Sequence, residues 1–371
     1  MRPKHLATVL ASLLLIACNM SDKTPLEPLD DIKVDLAFTC VHEVIPPPSA
    51  DTDQVFQYAR WLQKNNLLKQ DKTVDAEIER LYRIASESGH FKANINLQNG
   101  TMRGEFELRG EEHLRLSQQL IDANVATGYY FISIFLKDGS AGLKQDLEMA
   151  LRYFRKAADT GSANAQYYVA EKLAPIRIAP AIALQMYRCA AEQGLGKAAT
   201  MLAMYLQDDK KYDDAIGILQ MAAATGSSNA AGKLEEAFRA PPMRNEMYYL
   251  GQQEDLERAD RYEKIWRVLA NYSYADPKVP EINEILPLPP AKLPAWDGKL
   301  QWLEARLANV PPPKPTPELI QQLAKAKTLD PATGKPMPGS PSFSENQLLK
   351  STCSSGQACP QKQLQPNGAT S

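Results

Sequence analysis

The stretch DLEMALRYFRKAADTGSANAQYYVAEKL, residues 146–173, carries the pattern that decides the fold. Phe154 is followed by Ala157, Gly161, Ala165 and Val169, with Ala150 one helical turn before it and Leu173 closing the run. Ala150, Phe154 and Ala157 share one helical face, so the first half predicts an amphipathic helix. Gly161 then suits a helix C-cap, where a left-handed backbone costs a residue without Cβ nothing. Ala165, Val169 and Leu173 resume the helical spacing and predict a second helix. Side chains as small as alanine let two helix backbones approach closely. The unit is an α-hairpin.

The same frame returns three times. Tyr82, Ala85, Gly89, Ala93 and Leu97 form one copy, with Ile78 one turn ahead. Tyr187, Ala190, Gly194, Ala198 and Leu202 form another after Ala183, and Leu219, Ala222, Gly226, Ala230 and Leu234 a third after Ala215. Leu206 and Phe238 repeat the role of Leu173. A worn copy is read at Ile121, Asn124, Gly128, Ile132 and Leu136, which places the glycines 39, 33, 33 and 32 residues apart. A period in this range means stacked units, none able to bury its apolar face alone. An ordinary bundle with chance small-residue spacing is the alternative, and four matching copies weigh against it.

Residues 146–173 resemble a SEL-like repeat, a bacterial relative of the tetratricopeptide repeat; residues 181–206, 212–234 and 76–97 resemble weaker copies. The resemblance implies an all-α, right-handed solenoid of stacked helical hairpins that binds protein and does not itself catalyse.

The N-terminus bears on location. Arg2 and Lys4 precede an apolar run of eleven residues, 6–16, which is short of the about 20 residues a spanning helix needs and matches a secretory signal. Leu15, Ile16, Ala17 and Cys18 resemble a bacterial lipobox, implying cleavage after Ala17 and lipidation of Cys18. A plain signal peptide with an incidental cysteine is the other reading. Two glyceride chains and an N-acyl chain would anchor the protein stably. Asn19 in place of aspartate implies, by resemblance to enteric lipoproteins, the outer membrane, with the mature chain facing the periplasm.

Removing residues 1–17 changes the formal charge from −2 to −4. A slightly acidic chain without a basic cluster weighs against nucleic acid as partner. In an oxidising compartment the remaining Cys40, Cys189, Cys353 and Cys359 allow three pairings. Cys353 with Cys359 and Cys40 with Cys189 is the preferred set, with a buried thiol at Cys189 the alternative.

Residues 1–17 are thus read as signal, 18–50 as a lipid-anchored tether, 51–274 as the solenoid, 275–345 as a proline-rich domain and 346–371 as a polar tail. A flexible tether would span roughly 30 Å, with a short strand at residues 36–44. Val55, Tyr58, Trp61 and Leu62 suggest an N-terminal capping helix. Residues 254–274, with a stripe of Leu256, Tyr262, Ile265, Trp266 and Leu269, suggest a closing one. Residues 277–341 hold 15 of the 27 prolines, which leaves a mostly irregular arm with one helix at 317–327. Residues 282–307 and 329–341 resemble an uncharacterised C-terminal domain of SEL-like lipoproteins. That resemblance implies an arrangement fitting proteins encoded beside type VI secretion effectors.

No catalytic constellation stands out: there is no nucleophile elbow, phosphate loop or zinc-protease helix motif. Cys40, His42 and Glu43 offer metal-type atoms, but no second ligand pair stands at zinc spacing. His90 and His113 read as solvated surface residues, and no cofactor is expected. The adjacent tyrosines 129–130, 167–168 and 248–249 can each place one ring on a binding face, or bury both between helices. The expected function is an immunity protein that occludes a secreted lipase-type toxin; an envelope scaffold lipoprotein is the rival. Cys18→Ala should leave the chain unacylated and absent from the membrane fraction, and native-like membrane fractionation of that variant would refute the lipobox.

Overall fold

The computed structural model describes residues 36–175, 179–340 and 342–343. Cys18, Cys353 and Cys359 lie outside the described residues. The described residues from Phe38 onward form one compact unit. Among the described residues it is all-helical, with one isolated antiparallel bridge between Leu329 and Pro336. No described helix is long and apolar enough to cross a membrane.

Helix α1 (Ala50–Asn66) precedes five hairpins: α2 (Lys72–Glu87) with α3 (Phe91–Met102), α4 (Gly110–Asp122) with α5 (Thr127–Asp138), α6 (Leu147–Asp159) with α7 (Ala163–Leu173), α8 (Pro180–Glu192) with α9 (Gly196–Asp208), and α10 (Tyr212–Ala224) with α11 (Ser228–Phe238). Helix α12 (Leu256–Asn271) packs on α11 and ends the array. Consecutive helices touch throughout, and α8 also touches α10, the first helix of the next unit. The frame residues Tyr82, Phe154, Tyr187 and Leu219 are all buried, as are the alanines one turn later.

Gly89, Gly161, Gly194 and Gly226 have φ of +91°, +115°, +87° and +108°, so each turns the chain in the left-handed region between its two helices. Ser162 and Ser227 then cap α7 and α11 by accepting from the amides of Ala165 and Ala230.

The worn unit is registered differently from the expectation. The left-handed residue there is Asn124 (φ +58°), four positions before Gly128. Gly128 lies in the first turn of α5 and takes the place of Ala93, Ala165, Ala198 and Ala230. A Cβ on it would stand 2.6 Å from the Ser117 carbonyl oxygen of α4. Asparagine tolerates the left-handed region and so supplied the turn without a glycine signal.

The proline-rich region contains three helices: α13 (Ile282–Ile285), α14 (Gln301–Ala308) and α15 (Pro317–Ala326). It follows the solenoid as an arm. Val279 N–H donates to the Ala224 carbonyl, and α13 touches α10. Helix α14 then sits between the two ends of the array. Trp302 meets Tyr272 edge-on at 5.6 Å, while the Asn309 amide oxygen accepts from Trp61 Nε1 and Asn65 Nδ2, both at 3.0 Å. Beyond it, Ile320 and Ala324 of α15 and Leu329 join the core formed by α1 and α2.

Three further expectations need correction. Residues 36–44 form no strand, because no neighbouring strand stands among the described residues to accept their hydrogen bonds; residues 41–45, read as tether, instead lie on the repeats. On α1 the buried face is Val55, Phe56 and Ala59, whereas Trp61 turns toward the arm. On α12, Tyr262, Ile265 and Leu269 are buried but Leu256 and Trp266 are exposed.

Gly161 and Gly89 share a backbone conformation but not a surrounding. A Cβ on Gly161 would lie 2.7 Å from backbone atoms of His42 and Glu43, whereas Gly89 has open space. Gly89→Ala is therefore expected to cost about 1 kcal/mol from φ alone, and Gly161→Ala about 3 kcal/mol or more. Equal losses in chemical denaturation would contradict the close approach.

Candidate functional site

The N-terminal segment clasps three units. The Val41 carbonyl accepts from Gln166 Nε2 (2.8 Å), and Glu43 N–H donates to Gln193 Oε1 (2.9 Å). The Glu43 carboxylate accepts from the Thr127 amide (2.6 Å) and the Thr127 hydroxyl (3.0 Å). Helix α5 has no side-chain cap of its own, so a carboxylate from eighty-four residues upstream supplies the anion its N-terminus favours. Ile45 packs against the cluster of Leu120, Val125, Phe131 and Phe135. A disulfide joins Cys40 to Cys189 across 149 residues.

His42 lies at the same place, exposed, with Nε2 3.5 Å from Glu192. Ligand-type atoms of Cys40, His42 and Cys189 fall within 4.8 Å of one another. The two sulfurs are committed to each other, however, which leaves His42 as the sole imidazole donor, and Glu43 is turned away to α5.

The other two described histidines are buried, contrary to expectation. His90, 1% exposed, caps α3 by accepting from the Ala93 amide at Nδ1 (3.1 Å), and its ring stacks on Phe56 at 4.2 Å. Burial lowers its pKa, opposed by the hydrogen bond to Asp53. His113, 7% exposed, stands where other units carry Ala150, Ala183 and Ala215. It faces Gln98 Oε1 at 3.2 Å, which also accepts from Ser117 Oγ (3.1 Å), while Asn94 and Gln98 are bonded to each other at 2.8 Å. Arg83, also buried, pairs with Glu79 and Glu112 beside this seam. The junction between the first two hairpins is therefore polar where the later ones are packed on alanine. Both imidazoles are spent on holding backbone and amide partners, which is a structural use.

The tyrosine pairs are half-buried. Tyr168 stacks on Phe154 at 3.7 Å and Tyr130 meets the same ring at 5.9 Å. Tyr167 approaches Tyr187 at 5.8 Å, with Lys197 over its face at 4.3 Å. The first contact lies within one hairpin, while Tyr130 and Tyr167 join neighbouring units. Tyr248 and Tyr249 lie in the loop after α11, not on a helix.

Two buried arginines of α12 hold the arm. Arg258 donates to the carbonyls of Pro287 and Ala291 (the latter 3.0 Å), and Arg261 to those of Ile285 and Pro294, both at 2.7 Å. Neither arginine was singled out from the sequence; within a charged helix nothing marks which cation turns inward.

Two grooves of about 790 Å³ remain open. One lies between α2 and the arm, lined by Tyr58, Arg80 and residues 314–321. The other lies between α9, α11, α12 and residues 246–248, with Met204, Met247 and Trp266 in its walls.

Comparison with known proteins places these features. Residues 230–337 match a domain of unknown function, DUF6396. The match begins inside α11, so that family unit joins the last repeat helices and the arm. No curated protein matches the chain. Among solved structures, the immunity protein PA5088 of Pseudomonas aeruginosa is 26% identical with a TM-score of 0.53, covering 68% of this chain and 94% of its own. The immunity protein Pa5087 of the same organism is 26% identical with a TM-score of 0.50, covering 68% and 95%. A third Pseudomonas aeruginosa protein, PA5086, is 26% identical with a TM-score of 0.51 over the same shares. The chain is thus similar to the immunity proteins PA5088 and Pa5087.

The polar seam has a measurable consequence. Burial, and secondarily the Arg83 guanidinium, pushes the pKa of His113 down to about 4 from 6.5. The unfolded chain therefore binds a proton first, so this contribution is complete above about pH 6.5 and is lost as pH falls toward about 4. His113→Gln should flatten the fall in melting temperature between about pH 6.5 and 5, above the ordinary carboxylate range. An unchanged slope would place the pH sensitivity elsewhere.

Proposed function

We propose that the protein is an immunity protein: a lipid-anchored, periplasm-facing chain that binds a secreted antibacterial toxin and neutralises it by occlusion. The observation that carries this reading is the likeness to PA5088 and Pa5087, which extends over 68% of the chain and nearly the whole of both immunity proteins.

The architecture supports binding over chemistry. A stack of helical hairpins offers an extended surface for a folded partner, and His90, His113 and the Cys40–Cys189 pair are engaged in holding the fold. The lipobox-like segment ending at Cys18 would place this surface in the compartment where lipase or cell-wall toxins act. The resemblance of residues 282–307 to lipoproteins encoded near secretion effectors favours a phospholipase-type toxin.

Durable neutralisation calls for nanomolar or tighter binding, about −12 kcal/mol, and so an interface near the standard size of about 1,600 Å². Producing the toxin of the adjacent gene in the periplasm of a sensitive strain should kill it, and co-production of this protein should restore growth and yield a stoichiometric complex. Continued killing in the presence of abundant, membrane-localised protein would reject the immunity role and leave the envelope scaffold.

A further inference from the structure

The groove between α9, α11 and α12 exposes apolar side chains on backbone that is firmly placed. Trp266 is 40% exposed, Met204 43% and Met247 62%, and all three line it. The side-chain amide of Gln207, at the end of α9, donates to the carbonyls of Glu246 (2.7 Å), Met247 (3.3 Å) and Tyr249 (3.1 Å). That single side chain pins the loop that forms one wall. Tyr212 supports the same stretch of the loop, its ring meeting that of Tyr249 edge-on at 5.4 Å. On α11, Gly232 makes room for the indole: a Cβ there would already sit 3.4 Å from Trp266 Cδ1.

The chemistry of the walls and rim specifies an occupant. The Trp266 indole N–H has no acceptor among the described residues, so the ring presents both an apolar face and an unused donor. Tryptophan in that state is the side chain most enriched at energetic centres of interfaces. The two methionines are unbranched and polarisable and can mould to what enters. Around them stand Asp208, Glu235, Glu236 and Glu246, with Lys233 the single cation of the lining. Glu235 is paired with Arg239 at 3.0 Å, and Lys233 turns inward to Gln207 at 3.2 Å. Asp208, Glu236 and Glu246 make no ion pair among the described residues. Lys233 lies within electrostatic reach of Asp208, so the rim is answered only in part; it keeps an acidic excess, which favours a partner carrying positive charge.

We propose, resting on the immunity reading, that this groove is the toxin-binding surface. The toxin inserts a protruding apolar side chain against Trp266 and sets lysine or arginine residues beside Asp208, Glu236 and Glu246. Occlusion then centres on α9, α11 and α12, of which the family match from residue 230 onward includes most of α11 and all of α12.

The test measures binding of the purified toxin of the adjacent gene to the full-length protein in detergent. Trp266→Ala should weaken binding roughly 30-fold or more, the loss expected of an interface centre, with Trp266→Phe intermediate and both melting curves close to native. Glu236→Lys with Glu246→Lys should slow association and reduce its salt dependence. Leu151→Glu, an exposed position on α6 away from the groove's lining, should leave affinity within about threefold. Native binding retained by the Trp266 and charge-reversal variants, or lost in Leu151→Glu alone, overturns this surface and leaves the immunity reading standing. Failure of the native protein to bind the toxin at micromolar concentration overturns both.

Discussion

Backbone-to-backbone contact at residues with little or no side chain is the constraint on which the structure depends. Within each hairpin it is the alanine positions that set the helix separation, and Gly128 takes the same role in the second unit by lying against the Ser117 carbonyl. Between the repeats and the rest of the chain it is the turn glycines. Gly161 admits the backbone of residues 42–43, and Gly226 lies where a Cβ would meet the Pro277 carbonyl oxygen at 2.4 Å. Two positions of one repeating frame thus receive the two non-repeating segments. A side chain at either would set a local φ penalty and a lost docking surface against each other's relief, with no rotamer able to avoid both.

The arm illustrates a second physical problem. A run rich in proline lacks amide donors, so it cannot pair as a strand, yet its carbonyls still need partners when they approach a protein surface. Here the donors come from guanidinium groups, whose planar fork can serve two carbonyls at once. Arg258 and Arg261 satisfy four carbonyls between residues 285 and 294. The cost of burying the two cations is offset further by Asp255, the N-cap of α12, and Glu257 in its first turn, at 3.1 and 2.5 Å. Arg80 repeats the device at the far end, donating to the Pro331 carbonyl at 2.8 Å.

The all-helical repeat was legible because its signal is local and periodic: an aromatic or leucine, an alanine, and a glycine that must turn. The second unit was misplaced by four residues for the same reason, since Asn124 performs the turn and the glycine downstream is a packing residue. His90 read as solvated because it follows a turn glycine, and His113 because it stands in a charged stretch. What buries them are Phe56 and Phe135, 34 and 22 residues away along the chain, and no short window contains that information. The course of the arm was likewise not readable in detail. Its contacts with α1 span more than 240 residues, and a proline count limits local structure without saying where the segment lies. Trp266 was assigned to an apolar stripe with Ile265 and Leu269. Spacing alone does not tell that Gly232, on another helix, lets the ring rest at the surface.

Helix α14 touches both Tyr272 at the end of the array and, through Asn309, the first helix. An open stack of hairpins has frayed ends and melts from them, and it tolerates the gain or loss of a unit because each unit answers only to its neighbours. Fastening the first helix to the last removes that freedom. The span from Asn65 to Tyr272 becomes a fixed distance, so inserting or deleting one hairpin would misplace α14 on one side or the other. Repeat number, the quantity that varies most readily in such proteins, is here set by a clasp outside the repeats.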